Sequence, residues 1–377
     1  MTQVTGSWLT QDASQRVCRM LTDAGHQAWF VGGCVRNALI GAEVSDLDVT
    51  TDARPEQVME LANAAGIKSI PTGIDHGTIT LVVDDIPFEV TTFRRDVATD
   101  GRRATVAFAD TMEDDARRRD FTMNALYADA DGAVADPLGG LTDLYARRVR
   151  FIEDPDRRIK EDYLRILRFF RFHAWYGDPA TGIDAEGLAA CAANIDGLPS
   201  LSSERVTAEL LKLLAASDPA PAVASMSSAG VLAQVLPGAD SGGLAVLVHL
   251  EQSAEVTPSP LRRLAMLGGQ TDGLRLSKAQ ARELEQLSSA FDLPELAYRC
   301  GFGVAQDAAL IRAAALQEPL LPQTLDHLRF AAEQVFPLTA ADLMPALKGA
   351  ALGDALKKAE ARWIASGFEL TKAELLD

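Results

Sequence analysis

The chain has 377 residues, of which 47% are hydrophobic, and its formal net charge is −17. This length exceeds what one hydrophobic core usually fills, so we expect two or more domains. The acidic charge excludes a protein that grips nucleic acid over its whole surface, although it leaves room for a local basic strip. Because no apolar run is long enough for a membrane span and the N-terminus lacks the pattern of a signal peptide, we expect a cytoplasmic protein. The four cysteines lie far apart and show neither a zinc nor a disulfide pattern.

The first 150 residues alternate helix and strand signals. Helical spacing predicts a helix that ends near Gly25, and the Arg54-Pro55 start predicts another, since proline is tolerated in a first turn. Short apolar or β-branched runs predict the strands. The predicted strands are Trp29–Val31, Asp46–Thr50, Thr78–Val83 and Pro87–Phe93, the last two forming an antiparallel hairpin.

Three further segments complete this predicted mixed α/β domain. The polar stretch Arg94–Val106 contains an Asp-Gly pair and is interpreted as a mobile loop. The stretch Asp114–Leu126, with a charged start and an apolar finish, predicts a helix. Asp136–Asp143 predicts a turn that closes the domain near residue 150.

After residue 150 the strand signals vanish. Alanine- and leucine-rich segments broken by proline or glycine predict short helices with tight connections. Between Tyr145 and Trp175 nine basic residues stand against five acidic ones, whereas the chain from Ser227 onward is acidic. We therefore predict a head domain over 1–150, a helical RNA-contacting neck over 151–225, and a helical body and tail over 226–377.

One stretch of the head combines a paired glycine with two closely spaced aspartates. Residues i and i+2 of a strand share a face, so Asp46 and Asp48 would present their carboxylates side by side. Hard oxygen ligands at this spacing suit Mg²⁺, which takes its other ligands from water and substrate phosphates. Gly32 and Gly33 allow close approach of a bulky anion to the following helix start. Glu89 is a candidate third carboxylate if its strand lies beside the aspartates.

A second stretch, Lys160–Phe172, predicts a single helix with an apolar arc opposite a row of arginines. Asp162 and Arg165, three residues apart, would be neighbours on that helix. A carboxylate accepts and a guanidinium donates hydrogen bonds, so the pair matches the edges of cytosine and adenine but mismatches those of uracil and guanine. The alternative is an ordinary surface salt bridge.

Five stretches in order resemble the motifs of the class II tRNA nucleotidyltransferases. This family contains the bacterial CCA-adding enzymes and poly(A) polymerases and belongs to the DNA polymerase β-like superfamily. The stretches are Gly32–Arg36 with Asp46–Asp48, Arg118–Ala125, Asp136–Gly140, Glu161–Arg168 and Ser203–Leu210. The resemblance implies a polymerase β-like α/β head, a mixed sheet with helices, followed by an all-α neck, body and tail.

The resemblance also implies an activity and its residues. The enzyme would add C, C and A to the 3′ end of tRNA without a nucleic-acid template, with tRNA, ATP and CTP as partners and neither DNA nor a membrane. Asp46 and Asp48 would hold Mg²⁺, and Glu89 would be a less certain third catalytic carboxylate. The implied nucleotide-binding residues are Gly32, Gly33, Arg36 and Arg119 for the triphosphate, Asp162 and Arg165 for the base, and Arg168 and Arg171 in support.

Two alternatives and one departure accompany this interpretation. A poly(A) polymerase of the same family would be expected to carry a basic tail, whereas this C-terminal half is acidic. A tRNA-binding protein without catalysis would not need Asp46, Asp48 and Arg165. The departure is Asn37, which stands where the family usually has an aspartate after Val-Arg, so that an ionic role at this position is in doubt.

Overall fold

The computed structural model describes residues 2–100, 103–289, 291–344 and 346–376. The chain divides into two compact units, of which unit 1 comprises Met1–Leu213 with Pro221–Val235 and unit 2 comprises Leu214–Ala220 with Leu236–Asp377. Unit 1 begins with a mixed α/β part and continues with helices, and unit 2 is helical in the residues described. This confirms the predicted α/β-then-α class. The boundary near residue 150 falls inside unit 1 and stays a prediction.

A mixed sheet forms the centre of the α/β part. The strands are β1 Trp29–Val31, β2 Leu47–Thr51, β3 Lys68–Gly73, β4 Thr78–Val83, β5 Ile86–Thr92, β6 Arg94–Asp100, β7 Arg103–Phe108, β8 Tyr127–Ala128 and β9 Val134–Ala135. Seven of them form a sheet in the order β3-β4-β5-β2-β1-β8-β9, while β6 and β7 pair separately. The β2–β5 pair is parallel, and the other neighbouring pairs of this sheet are antiparallel.

The predicted strands are confirmed with small shifts at their ends. Strand β2 begins at Leu47, so Asp46 immediately precedes it. Asp84 and Asp85 have φ angles of 51° and 62°, which fits the tight turn between β4 and β5. The interpretation of Arg94–Val106 as a loop is wrong, because β6 and β7 pair as an antiparallel hairpin. Its Asp-Gly pair is a hairpin-turn signal, and Gly101 lies outside the described residues.

The helices of unit 1 surround the sheet and then follow it. They are α1 Ser7–Thr10, α2 Asp12–Thr22, α3 Gly33–Leu39, α4 Pro55–Ala64, α5 Met112–Arg117, α6 Gly140–Tyr145, α7 Pro155–Glu161, α8 Leu164–Tyr176, α9 Ala185–Ala193, α10 Ser203–Leu214, α11 Ala220–Ser228 and α12 Val231–Val235, where α10 and α11 each extend one residue beyond the unit.

The predicted helix over Asp114–Leu126 is wrong beyond its first turn. Helix α5 ends at Arg117, and a short 3₁₀ turn spans Thr122–Asn124. Between them the backbone pairs with a distant segment: the N–H of Thr122 donates to the carbonyl of Arg150, and the N–H of Ile152 donates to that of Asp120. Tertiary pairing has therefore overridden the local helical pattern.

The predicted single helix over Lys160–Phe172 is also wrong. It is divided into α7 and α8, and Asp162 between them is extended, with φ −156° and ψ 105°. Its carboxylate accepts a hydrogen bond from the backbone N–H of Leu164. An aspartate side chain that accepts from the N–H two residues later forms a turn in place of helical backbone, which fits the break at this residue.

Phenylalanine side chains join the α/β part to helix α8 within unit 1. Phe121 lies with its ring centroid 5.0 Å from that of Phe151 and 4.9 Å from that of Phe172. Phe151 in turn stacks on Phe169 at 5.3 Å. Since aromatic side chains bury large areas, this cluster fixes α8 against the segment that follows α5.

Unit 2 consists mainly of helices. They are α13 Leu244–Ser253, α14 Pro260–Leu267, α15 Lys278–Leu287, α16 Leu293–Cys300, α17 Phe302–Leu316, α18 Pro322–Ala332, α19 Ala340–Leu343, α20 Ala350–Ala365 and α21 Lys372–Leu376. Trp363, Leu296 and Phe368 lie in its apolar core. Across the described parts of both units, no helix is both long and apolar enough to span a bilayer.

A buried ionic network also stabilises unit 2. Glu251 on α13 accepts hydrogen bonds from Arg262 at 2.9 Å and from Arg263 at 2.7 Å, and all three residues are 1% exposed. Arg262 also donates to Asp307, and Arg263 donates to the carbonyl of Ser217. Because every member is paired, the network holds α13, α14, α17 and the segment that follows α10 together.

We predict that Glu251→Ala lowers the free energy of unfolding by about 3–5 kcal/mol, since it leaves two guanidinium groups buried without their shared carboxylate. Urea denaturation followed by circular dichroism measures this loss. The control is Gln252→Ala on the exposed side of the same helix, which we expect to change stability little. Equal stability of the two variants would contradict a stabilising role of the network.

Candidate active site

Two carboxylates lie side by side at the centre of the sheet. Strands β2 and β5 are parallel neighbours, and Asp48 lies directly opposite Glu89 in their register. Leu47 and Phe88 are buried on the opposite face. Asp46, exposed, is two residues before Asp48 and adds its charge to the same region. The strands that carry Asp48 and Glu89 are neighbours, which is the condition set for Glu89, while the catalytic role of these carboxylates stays a prediction.

The pKa of Asp48 reflects burial and the charges around it. Its pKa is raised to about 6, because the carboxyl is largely buried and because Glu89 and Asp46 add negative charge, while Arg119 acts in the opposite direction. Oxygen donors of this kind fit a hard divalent cation. In the described ranges no three acidic, histidine or cysteine side chains converge into a ready metal cage. A metal held here would therefore need ligands from water or substrate as well.

A glycine turn lies between β1 and α3. Gly32 has φ 73° and ψ −118°, a conformation that residues with a side chain rarely adopt. A Cβ at Gly32 would lie 3.4 Å from Nη1 of Arg119. The turn therefore brings backbone and guanidinium close together at the start of α3, which is an arrangement suited to an anion.

Arg119 is held in this place by Asp115, whose side chain is completely buried. The Nη2 of Arg119 donates to Asp115 at 2.9 Å, and Arg118 pairs with the same carboxylate at 2.7 Å. Burial alone would raise the pKa of Asp115, but the two guanidinium groups hold it below its ordinary value. One edge of Arg119 is thus fixed, and its Nη1 lies against Gly32.

Arg36 connects helix α3, which follows the glycine turn, to helix α8. Its guanidinium donates to Asn37 at 2.9 and 3.1 Å, to Asn124 at 2.5 Å and to the hydroxyl of Tyr176 at 2.8 Å. It also lies 4.0 Å from the ring centroid of Tyr176 and 5.2 Å from that of Phe172. Since most of its donors are used within the protein, Arg36 has little capacity left for a phosphate. Its role as a triphosphate ligand stays a prediction.

Asp162 and Arg165 do not pair with each other through their side chains. Asp162 lies between helices and accepts from Arg205 of α10 at 2.6 Å. Arg165 donates to Glu161 at 2.6 Å and to the backbone carbonyls of Arg158 at 2.7 Å and Arg118 at 2.9 Å. The predicted neighbouring pair on one helix face is corrected, because the helix breaks at Asp162. Whether both groups read one base stays a prediction.

Arg168 and Arg171 are bound to carboxylates in this structure. Arg168 donates to Asp120 at 2.7 Å and lies 3.9 Å from a carboxylate oxygen of Glu209. Arg171 donates to the other oxygen of Glu209 at 2.5 Å. Burial and these acids act in opposite directions on Arg168, and the acids prevail, so that its pKa is raised. Both arginines connect α8 to neighbouring segments.

Arg118 and Arg119 join the carboxylate and glycine-turn region of the site to the region around Arg165. Arg119 lies beside Gly32 and acts on Asp48, while the carbonyl of Arg118 accepts from Arg165. Sequence reasoning missed the partners that hold these arginines and the carboxylate of Asp162. They are Asp115, Asp120, Glu161, Tyr176, Arg205 and Glu209. Spacings of four residues could have indicated two of them, Asp115 with Arg119 and Glu161 with Arg165.

Comparisons with known proteins agree with this geometry. The family model described as "Poly A polymerase head domain" matches residues 28–150, and that described as "Probable RNA and SrmB- binding site of polymerase A" matches residues 182–242. The mitochondrial CCA tRNA nucleotidyltransferase 1 of Mus musculus is 30% identical over 98% of this chain and 90% of its own. The chain belongs to the CCA-adding enzyme family.

Other members of the CCA-adding enzyme family are similar over nearly the whole chain. The CCA-adding enzyme of Levilactobacillus brevis is 30% identical, over 91% of this chain and 92% of its own. The solved structure of the Bacillus stearothermophilus CCA-adding enzyme in complex with CTP has a TM-score of 0.74 at 28% identity, covering 94% of this chain and 92% of that one. The predicted family is confirmed.

We predict that Gly32→Ala weakens nucleotide binding and also lowers stability by about 1–3 kcal/mol, the usual cost of a strained backbone conformation. The added methyl group would press on Arg119 as well. Isothermal titration with CTP and thermal unfolding measure the two effects. The control is Gly41→Ala, where φ is 69° but the space around a Cβ is open. Equal loss of CTP affinity in both variants would contradict a specific role of the turn.

Proposed function

We propose that this enzyme adds C, C and A to the 3′ end of tRNA, using CTP and ATP and releasing pyrophosphate. The observation that carries the proposal is the meeting of Asp48, Glu89 and Arg119 beside the glycine turn at Gly32. Acidic groups for a metal and a cationic group for phosphate are thereby adjacent, as nucleotidyl transfer requires. The family relationship supports the choice of tRNA as the acceptor.

The α/β part would bind the triphosphate and the metal. Asp46 and Asp48 would hold Mg²⁺, and Glu89 is placed to support them from the neighbouring strand. A bound Mg²⁺ would lower the pKa of the attacking 3′-hydroxyl and neutralise charge on the leaving pyrophosphate. The turn at Gly32 and Gly33 and the free edge of Arg119 would orient the phosphate chain. The compartment we expect is the cytoplasm.

The neck would select the base. Arg165 is fixed by two backbone carbonyls and Glu161, so its guanidinium has a defined orientation before a nucleotide arrives. Asp162 is one-third exposed and held only by Arg205 and a helix start. A fixed donor and a reachable acceptor together suit the edges of C and A. A mismatched base would leave polar groups unpaired, which is costly in a closed site.

The acidic second half of the chain favours CCA addition over poly(A) synthesis. From Ser227 onward acidic residues outnumber basic ones, whereas a polymerase that holds RNA of any sequence needs a general cationic surface. Incubating the protein with a tRNA that lacks CCA, Mg²⁺ and each nucleotide distinguishes these activities. We expect products of three added nucleotides with CTP and ATP. Long A tracts would identify a poly(A) polymerase, and binding without product a non-catalytic protein.

We predict that Asp48→Ala lowers incorporation by about 1,000-fold or more, since it removes a proposed metal ligand that is worth several kcal/mol in the transition state. Affinity for tRNA should stay nearly unchanged, because the RNA is bound elsewhere. Single-turnover assays and filter binding measure the two quantities. Glu43→Ala, an exposed acid just before Asp46, is the matched control. Substantial turnover by Asp48→Ala would remove the metal assignment.

We also predict that Arg165→Ala relaxes selection against UTP. Its loss removes the fixed donor that distinguishes the base edges, with a change in discrimination of roughly 10²-fold for one or two lost hydrogen bonds. The ratio of kcat/KM for CTP to that for UTP measures the effect. Arg147→Ala, an exposed arginine between α6 and α7, serves as the control. An unchanged ratio in Arg165→Ala would discard the base-reading role.

A further inference from the structure

A polar pocket of about 260 Å³ in unit 1 is not used by the function proposed so far. Its walls come from β6, α5, α7 and the segment before α7. Five arginines line it, namely Arg95, Arg117, Arg118, Arg157 and Arg158. The acidic side chains that line it are Asp114, Glu153 and Glu161, so the lining has an excess of two positive charges. This is notable in a chain whose formal net charge is −17.

The arginines of this pocket are of two kinds. Arg118 and Arg158 are mostly buried and pair closely with acids, with nitrogen–oxygen distances of 2.7 Å to Asp115 and 2.6 Å to Glu161. Arg117 and Arg157 are 54% and 71% exposed, and their ion pairs are long, from 3.5 to 3.9 Å. Exposed pairs of this length contribute little, so an incoming anion can replace them.

The pocket adjoins the proposed base-selecting residues. The backbone carbonyls of Arg118 and Arg158 both accept hydrogen bonds from Arg165, while their side chains line the pocket. Arg119, the next residue after Arg118, lies beside the glycine turn. An anion in the pocket would therefore lie next to the reacting end of the RNA but away from the triphosphate position.

We propose that this pocket binds backbone phosphates of the tRNA strand just behind its 3′-terminal nucleotide, an inference that rests on the proposed function. Guanidinium groups bind phosphate oxygens through paired donors, and such contacts fix the register of a strand without reading its sequence. The exposed Arg95, Arg117 and Arg157 come from three separate elements. They can therefore contact a strand from several directions while Arg118 and Arg158 keep the pocket in shape.

The test uses the variants Arg117→Ala, Arg157→Ala and their combination. We expect the KM for a tRNA lacking CCA to rise several-fold in each, and the dependence of log Kd on log salt to become shallower by about one per arginine removed. The kcat at saturating tRNA and the KM for CTP should stay unchanged. The matched control is Lys160→Ala, which removes a 57% exposed charge from the same helix but does not line the pocket.

The possible outcomes separate this proposal from the proposed function. An unchanged KM and salt dependence for tRNA in the double variant would overturn the proposal. A rise in the KM for CTP instead would assign the pocket to the triphosphate and would overturn it equally. Failure of the unaltered protein to extend tRNA would refute the proposed function, and this result is visible before any variant is made. Circular dichroism of each variant verifies that it is folded.

Discussion

The buried carboxylate of Asp115 is the constraint on which the site of unit 1 depends. It binds Arg118, Arg119 and the hydroxyl of Tyr127, the last at 2.9 Å, and has no exposed side-chain surface. A buried charge is tolerated only when it is paired, and here the pairing also fixes the partners. Arg119 is thereby aimed at the glycine turn before any substrate binds, so little ordering cost falls on nucleotide binding. In a similar way, the buried carboxylate of Asp120 fixes the guanidinium of Arg168.

The break after α5 allows the α/β part to connect to helices α7 and α8. A helix that continued from Asp114 to Leu126 would have used the carbonyls of Arg118 and Arg119 in its own hydrogen bonds. Because the helix ends at Arg117, these carbonyls are free to accept from Arg165 and Arg158 at 2.9 Å each. The irregular segment thus provides backbone acceptors for Arg158 of α7 and Arg165 of α8. Its irregularity is a requirement of the site.

Local patterns were enough to predict strands β1, β2, β4 and β5 and the position of the carboxylates on them. The alternation around Asp48 and Glu89 predicts one exposed face, and strand pairing then brings the two side chains together. The break after α5 was not predicted, since it depends on backbone pairing with residues 150–152. The break at Asp162 and the hairpin β6–β7 were not predicted either, since each depends on a turn. Glu209 lies 38 residues from Arg171, and Tyr176 lies 140 residues from Arg36, so no local spacing could reveal these two contacts.

Asn37 shows how a departure from the family pattern can be accommodated. Its amide oxygen accepts twice from Arg36, as a carboxylate would, and its amide nitrogen donates to the carbonyl of Glu43 at 2.7 Å. An aspartate could pair more strongly with Arg36 but has no hydrogen to donate. The asparagine therefore interacts less strongly with Arg36 than an aspartate would, but its hydrogen bond to Glu43 connects α3 to the segment before Asp46. In this chain one side chain thus links α3, the helix that follows the glycine turn, to the segment that precedes Asp46.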